Sequence, residues 1–217
     1  MSELVLLNTP ADAPSQAGGK REQTKLQNRR AILDAAREVF GEMGYETATV
    51  RDIIRRTGLS VGSFYNYYRS KEEVYEALAD DGARRFRPIL QAQFEAAKDF
   101  ESYIHGAIAA YFNFLVEEQE TWHNHSRPNG EPGPHVRVET PEMQAVFEQV
   151  RWSVSRALER SHAGPVDIDY LAAACIAVAQ EIGHKMLERR PVDVPGATNF
   201  AVRMILGGLP ALPLLTS

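Results

Sequence analysis

The chain has 217 residues, 44% hydrophobic and 24% charged, which are ordinary proportions for a globular protein. Its one cysteine, Cys175, excludes an internal disulfide, and no apolar run approaches the roughly 18 residues that a membrane span needs. The net charge of −5 points away from nucleic acid, but residues 20 to 71 hold 11 Lys+Arg against 6 Asp+Glu, a basic segment on an otherwise acidic chain.

Residues 1 to 20 are rich in Pro, Ala, Gly and Ser and read as a disordered arm. They lack the basic start and long apolar stretch of a secretory signal, so a cytoplasmic location is expected. A first helix is predicted over 24–43, with Ile32, Leu33, Ala36, Val39, Phe40 and Met43 on one face and Gly44 as its stop. Thr49 caps a short second helix, and Asp52 completes a capping box. Ile53 and Ile54 form the buried side of that helix. Gly58 ends it, Ser60 caps a third helix over 61–67, and Ser70 with Glu73 opens a fourth that runs to about Leu90.

The rest is helical as well. Segments 99–120, 141–160, 166–189 and 197–209 carry helical periodicity, with a short piece around Trp122 and a Pro- and Gly-rich loop at 127–134. No strand pattern and no internal repeat appears. The fold class is all-α, with a small N-terminal domain over 21–70 and a larger helical one over 71–217.

Two short helices around a glycine-containing turn, the second polar outside, form a helix-turn-helix signature. Small residues at Ser60-Val61-Gly62-Ser63 let the backbone approach a groove. Free N–H groups there and at Thr49 favour phosphate oxygens. Arg51 reaches a guanine edge or a phosphate, and Tyr65, Asn66, Tyr67 and Tyr68 supply hydrogen bonds.

With these residues in order, segment 25–78 resembles the N-terminal domain of the TetR family of transcriptional regulators. The resemblance rests on Thr49, Gly58, Ser60, Gly62, Ser63, Phe64, Tyr65 and Lys71-Glu72, and covers about a quarter of the chain. Tyr67 stands where the family usually has His, and Tyr68 where it has Phe. The resemblance implies a DNA-contacting set of Thr49, Val50, Arg51, Ser60, Val61, Gly62, Ser63, Tyr65, Asn66, Tyr67 and Lys71. Of these Thr49, Tyr65, Tyr67 and Lys71 would hold phosphates, while Phe64 would be core.

The resemblance further implies a body that dimerises and binds a small molecule; the expected function is a repressor released from a palindromic operator by that ligand, with an activator of the same fold or a helical binding module that does not touch DNA as the alternatives. Segment 166–190 supports the dimer independently, because small residues permit close helix packing and large ones appear on more than one face. The expected interface residues are Leu171, Cys175, Val178, Ile182, Met186, Val202 and Ile205, in a four-helix contact with a second copy. Tyr103, Phe112, Trp122, Phe147, Trp152 and Gln180 are the candidates for a pocket with an apolar or aromatic effector. Glu120, His123 and His125 have poor spacing for a metal, and neither a metal nor a cofactor is expected. Ser153, Ser155 and Cys175 lack His-Asp partners at spacings that suggest a nucleophile, so the chain reads as a regulator and not an enzyme.

Overall fold

The computed structural model describes residues 16–123, 140–161 and 166–214, and among them all regular structure is helical. The order is α1 (Gln16–Met43), α2 (Val50–Thr57), α3 (Val61–Tyr65), α4 (Lys71–Ala96), α5 (Phe100–His123), α6 (Pro141–Arg160), α7 (Ile168–Leu187) and α8 (Val194–Gly208), closed by a 3₁₀ turn at Leu209–Ala211. No described helix is long and apolar enough to cross a membrane. The Glu120, His123 and His125 side chains and the 127–134 loop lie outside the described residues.

Several boundaries differ from the sequence reading, each for a local reason. α1 begins at Gln16, so residues 16–20 are helical and not part of an irregular arm; no proline follows Pro14 to stop the helix. α3 is shorter, ending at Tyr65, where the backbone N–H of Asn66 turns back to the carbonyls of Ser63 and Phe64. α4 continues through Pro88 to Ala96. Proline there removes one backbone hydrogen bond, but the apolar residues on both sides of it, Phe86, Leu90 and Phe94, are all buried and keep the helix docked. α5 runs unbroken to His123, absorbing the separate piece expected at Trp122.

Two cores result. The head core gathers Ile32, Ala36, Val39 and Phe40 of α1, Ile53 and Ile54 of α2, Phe64 of α3, and Val74 and Leu78 of α4. The body core gathers Phe100, Tyr103, Ile104, Ile108 and Phe112 of α5 with Val154, Leu158, Leu171, Met186, Ala201 and Ile205 from α6, α7 and α8. A third cluster, with Ala83, Phe86 and Leu90 of α4 against Val146 of α6, continues down the same α4. A boundary at 70/71 therefore cuts through the head core. α4 is the shared beam, its first two turns in the head and its remainder in the body.

Candidate DNA-reading surface and ligand cavity

The α2–α3 pair is held by its caps. The Asp52 N–H donates to Thr49 Oγ1 at 3.4 Å, and the Thr49 N–H donates to Asp52 Oδ2 at 3.0 Å, so both halves of the capping box form. The hydrogen bond from the Thr49 side chain holds the Asp52 carboxyl below its ordinary value. Gly58 closes α2 with φ +68°, a left-handed geometry that glycine adopts without strain. The Ser63 N–H then donates to Ser60 Oγ at 3.1 Å and starts α3 two residues later. Phe64, fully buried, pins α3 to the head core.

This pinning leaves an outward face. Thr49, Arg51, Ser60, Val61, Gly62, Tyr65 and Asn66 are exposed, and Val50, Ser63 and Tyr67 are partly so. Val61 and Tyr65, large residues on a five-residue helix, keep 58% and 51% of their surface. A side chain added at Gly62 would meet nothing in the protein within 4 Å. Ten of the eleven expected DNA contacts thus lie exposed or partly exposed on α2, α3 and the residues that flank them.

Lys71 is the exception. Its Nζ donates to three backbone carbonyls, Tyr45 at 2.8 Å, Ala48 at 3.2 Å and Glu46 at 3.3 Å, and sits 4.5 Å from the centre of the Tyr45 ring. An ammonium has three donors. The first turn of α4 faces the loop between α1 and α2, and through these bonds Lys71 ties that loop down.

The two tyrosines that depart from the family pattern both find partners on α1. The Asn28 amide donates to the Tyr67 hydroxyl at 3.1 Å, and Arg29 Nε donates to the buried Tyr68 hydroxyl at 3.1 Å. Arg56 is paired with Glu38 and Glu42 of α1, which hold its guanidinium above its ordinary value. These clamps fix the reading helix against the longest helix of the head.

Below the head lies a cavity of about 240 Å³ between α4, α5, α6 and α7. Ala83, Phe86 and Leu90 supply the α4 wall, Tyr103, Tyr111 and Phe114 the α5 wall, Val146, Phe147 and Val150 the α6 wall, and Cys175, Ala179 and Gln180 the α7 wall. Of the six sequence candidates, Tyr103, Phe147 and Gln180 line it. Phe112 does not: it is fully buried on the other side of α5, beneath Gly183, where an added Cβ would come within 3.0 Å of its ring. Trp152 does not either. It is 47% exposed and packs against Phe94 with the rings tilted 60° and their centres 4.8 Å apart. The Trp122 side chain lies outside the described residues. Sequence reasoning missed Phe86, Tyr111 and Phe114. The signal for Tyr111 and Phe114 was the neighbouring register of α5, whose apolar face is wide enough to serve both a core and a cavity, and Phe86 was marked by the apolar spacing of Ala83, Phe86 and Leu90 on α4.

The expected dimer residues need a larger correction. Leu171, Cys175, Met186, Val202 and Ile205 are buried in this chain's own body core, and Val178 and Ile182 pack against it. Cys175 also lines the cavity, and burial pushes its thiol up to about 12. Beside Leu171, Cys175, Val178 and Ile205, which line the groove between α7 and α8, the neighbouring faces carry the most exposed residues. On α7 these are Tyr170, 79% exposed, with Ala173, Ala174, Ala177 and Glu181; on α8 they are Phe200, 59% exposed, with Arg203, Met204 and Gly207. Both sets follow helical spacing. Tyr170, Ala174, Met204 and Gly208 share one apolar groove, so the two stripes are contiguous.

An ion-pair chain connects these parts. Arg37 of α1 reaches Asp81 of α4 at 2.6 Å, and Asp81 also accepts from Arg85 Nε at 3.1 Å. Arg85 grips Glu118 of α5 with both terminal nitrogens, which holds its guanidinium above the ordinary value, and lies 5.6 Å from the centre of the Phe114 ring in the cavity wall.

Residues 32–78, which hold the capped pair and most of the head core, match the model of the bacterial regulatory proteins of the tetR family. The chain carries a TetR-family DNA-binding domain. Over its whole length it is 26% identical to the whole of the HTH-type transcriptional activator FasR of Mycolicibacterium smegmatis. It is 40% identical over 63 residues to the HTH-type transcriptional repressor AcnR of Corynebacterium glutamicum, 29% of this chain and 34% of that one. Among solved structures, the fatty acid degradation regulator FadR of Bacillus halodurans superposes with a TM-score of 0.66 at 19% identity, over 84% of this chain and 96% of the other. FadR of Bacillus subtilis, solved in complex with stearoyl-CoA, gives 0.64 at 14% identity, over 82% and 98%. These likenesses extend the family fold through the helical body. The protein is a DNA-binding, helix-turn-helix transcriptional regulator whose helical body shares the fold of these regulators.

Proposed function

We propose that the protein is a cytoplasmic homodimeric repressor that leaves a palindromic operator when an apolar effector fills the cavity of its body. The observation that carries this reading is α4. One helix contributes Val74 and Leu78 to the head core and Ala83, Phe86 and Leu90 to the cavity wall. A ligand that displaces Phe86 or Phe114 acts on the helix that seats the head, and the Arg37–Asp81–Arg85–Glu118 chain ties the same movement to α1. By linkage, an effector that prefers the displaced arrangement lowers operator affinity by the factor by which operator lowers its own.

In this reading Thr49, Val50, Arg51, Ser60, Val61, Gly62, Ser63, Tyr65, Asn66 and Tyr67 meet DNA. Two copies joined through Tyr170, Ala174, Ala177, Phe200 and Met204 set their reading helices about one turn of DNA apart, roughly 34–36 Å. The apolar cavity wall and the neighbouring FadR complex with stearoyl-CoA both favour an apolar effector. The full-length likeness to an activator supports a second reading, in which the same DNA contacts recruit transcription instead of blocking it. Regulation by binding, without catalysis, is supported by the regulator relatives.

The test is selection of bound fragments from genomic DNA with the full chain, followed by a reporter placed behind the recovered fragment. Repression requires reporter output to rise when the gene is deleted, and a fall supports activation. Failure to enrich any fragment above random DNA refutes the regulator reading of these contacts.

A further inference from the structure

The described lining of the cavity is aliphatic and aromatic, with Tyr103, Tyr111, Cys175 and Gln180 as its main polar members. These four are not equivalent. Gln180 is exposed and stands at the rim. The Tyr103 hydroxyl is sealed away from solvent and void, beside Ser153 and Cys175. Cys175 offers only a weak S–H donor. Tyr111 differs from all three. Its ring is wedged between Phe86 and Phe112, with centres 5.5 and 6.1 Å away, and it forms part of the cavity wall. Its hydroxyl makes no hydrogen bond to any described residue.

Unlike the Tyr103 hydroxyl, that of Tyr111 is not sealed off, so it offers the cavity a donor that its hydrocarbon surroundings leave without a protein partner. Burial pushes the Tyr111 phenol up to about 12, so near neutral pH it keeps its proton and is a donor. An ionised ligand group would be stripped of water against the same walls at far greater cost. A pure hydrocarbon would leave the donor unused.

We propose that the cavity takes an uncharged, mainly apolar ligand with one carbonyl or hydroxyl oxygen, which accepts a hydrogen bond from the Tyr111 hydroxyl. This rests on the reading of the cavity as the effector site. Tyr111 is then the residue that selects ligands by head group, while Phe86, Phe114 and Phe147 select them by shape.

Three matched probes test it by isothermal calorimetry at pH 7 on the full chain: propylbenzene, 3-phenylpropan-1-ol and 3-phenylpropanoate. The alcohol is expected to bind at least tenfold more tightly than the carboxylate. Tyr111→Phe removes one oxygen atom and is expected to weaken the alcohol roughly three- to tenfold, the worth of one hydrogen bond, and to leave propylbenzene unchanged. Tyr45→Phe, which alters a hydroxyl of the head core outside the cavity, is expected to leave the alcohol's affinity at the wild-type level. Far-UV circular dichroism of both variants reports that they are folded. Equal weakening of alcohol and propylbenzene by Tyr111→Phe, no weakening of either, or a carboxylate that binds as well as the alcohol overturns the proposal while leaving the cavity a ligand site. If none of the three probes binds the wild type, the effector-site reading itself fails.

Discussion

Lys71→Met separates a structural cation from a phosphate-binding one. Methionine keeps most of the stem and removes the ammonium. In the structure that ammonium holds the carbonyls of Tyr45, Glu46 and Ala48, with its best bond at 2.8 Å and the others at 3.2 and 3.3 Å. The Glu46 carbonyl lies on an exposed residue and recovers water on mutation, whereas Tyr45 and Ala48 are buried residues. A hydrogen bond from a charged donor contributes about 1.5–3 kcal/mol. The two longer bonds add less than the first, and the Glu46 carbonyl regains water, so the sum stays at about 2 kcal/mol. The cation over the Tyr45 ring adds about 0.5–1 kcal/mol. Head stability should therefore fall by about 2–3 kcal/mol, read as a lower melting temperature or faster amide exchange in α1 and α2. DNA binding is followed by fluorescence anisotropy across a salt series. Each phosphate contact contributes about 0.9 to the slope of log affinity against log salt. The account expects the slope to be unchanged. An unchanged melt with a slope reduced by about one per subunit would refute the assignment and return Lys71 to the phosphate backbone.

Asp81→Asn leaves Arg37 and Arg85 without their shared carboxylate. Operator affinity without ligand should change little, while the fold-change in affinity produced by saturating 3-phenylpropan-1-ol should shrink several-fold, consistent with coupling energies of about 1–3 kcal/mol; an unaltered ligand response removes this chain from the coupling. Phe200→Asp places a charge on the outward α8 stripe and should turn a dimer into a monomer in sedimentation, with helicity intact, whereas Val202→Ala, one of the buried residues, should lower stability without altering assembly; the reverse pattern restores the original interface assignment. Gly183→Ala pushes a methyl against Leu115 and Phe112, at 2.7 and 3.0 Å, and should cost about 1–3 kcal/mol in urea unfolding through overpacking of the α5–α7 contact; a neutral result would mean that α7 shifts to make room.

What the sequence disclosed and what it hid follow from how locally each feature is determined. Thr49, Asp52, Gly58 and Ser60 mark the ends of helices through hydrogen bonds that span two or three residues, so the head was legible in detail. The ligand and dimer faces depend on which way a helix is rotated in a bundle. α7 is apolar nearly all round, so periodicity gives it no phase. Size was the natural guide, and it gave no direction: Leu171 and Met186 fill this chain's own core, while the larger Tyr170 faces out with the alanines Ala173, Ala174 and Ala177. Trp152 misled for a related reason. An aromatic on a middle helix suggests a pocket, but α6 presents it outward against Phe94. Lys71 lay beyond local reasoning altogether, since its partners are 23 to 26 residues away.

The central claim, that α3 enters a groove of DNA, is tested most directly at Gly62. Nothing in the protein lies within 4 Å of a side chain added there, and glycine is a poor helix former, so folding alone gives no reason for it. Gly62→Leu and wild type are compared by anisotropy on a fragment recovered from genomic selection, with a thermal melt of each. The account predicts that the variant melts no lower than wild type and binds at least tenfold more weakly. Equal affinity of the two proteins for that fragment would contradict it.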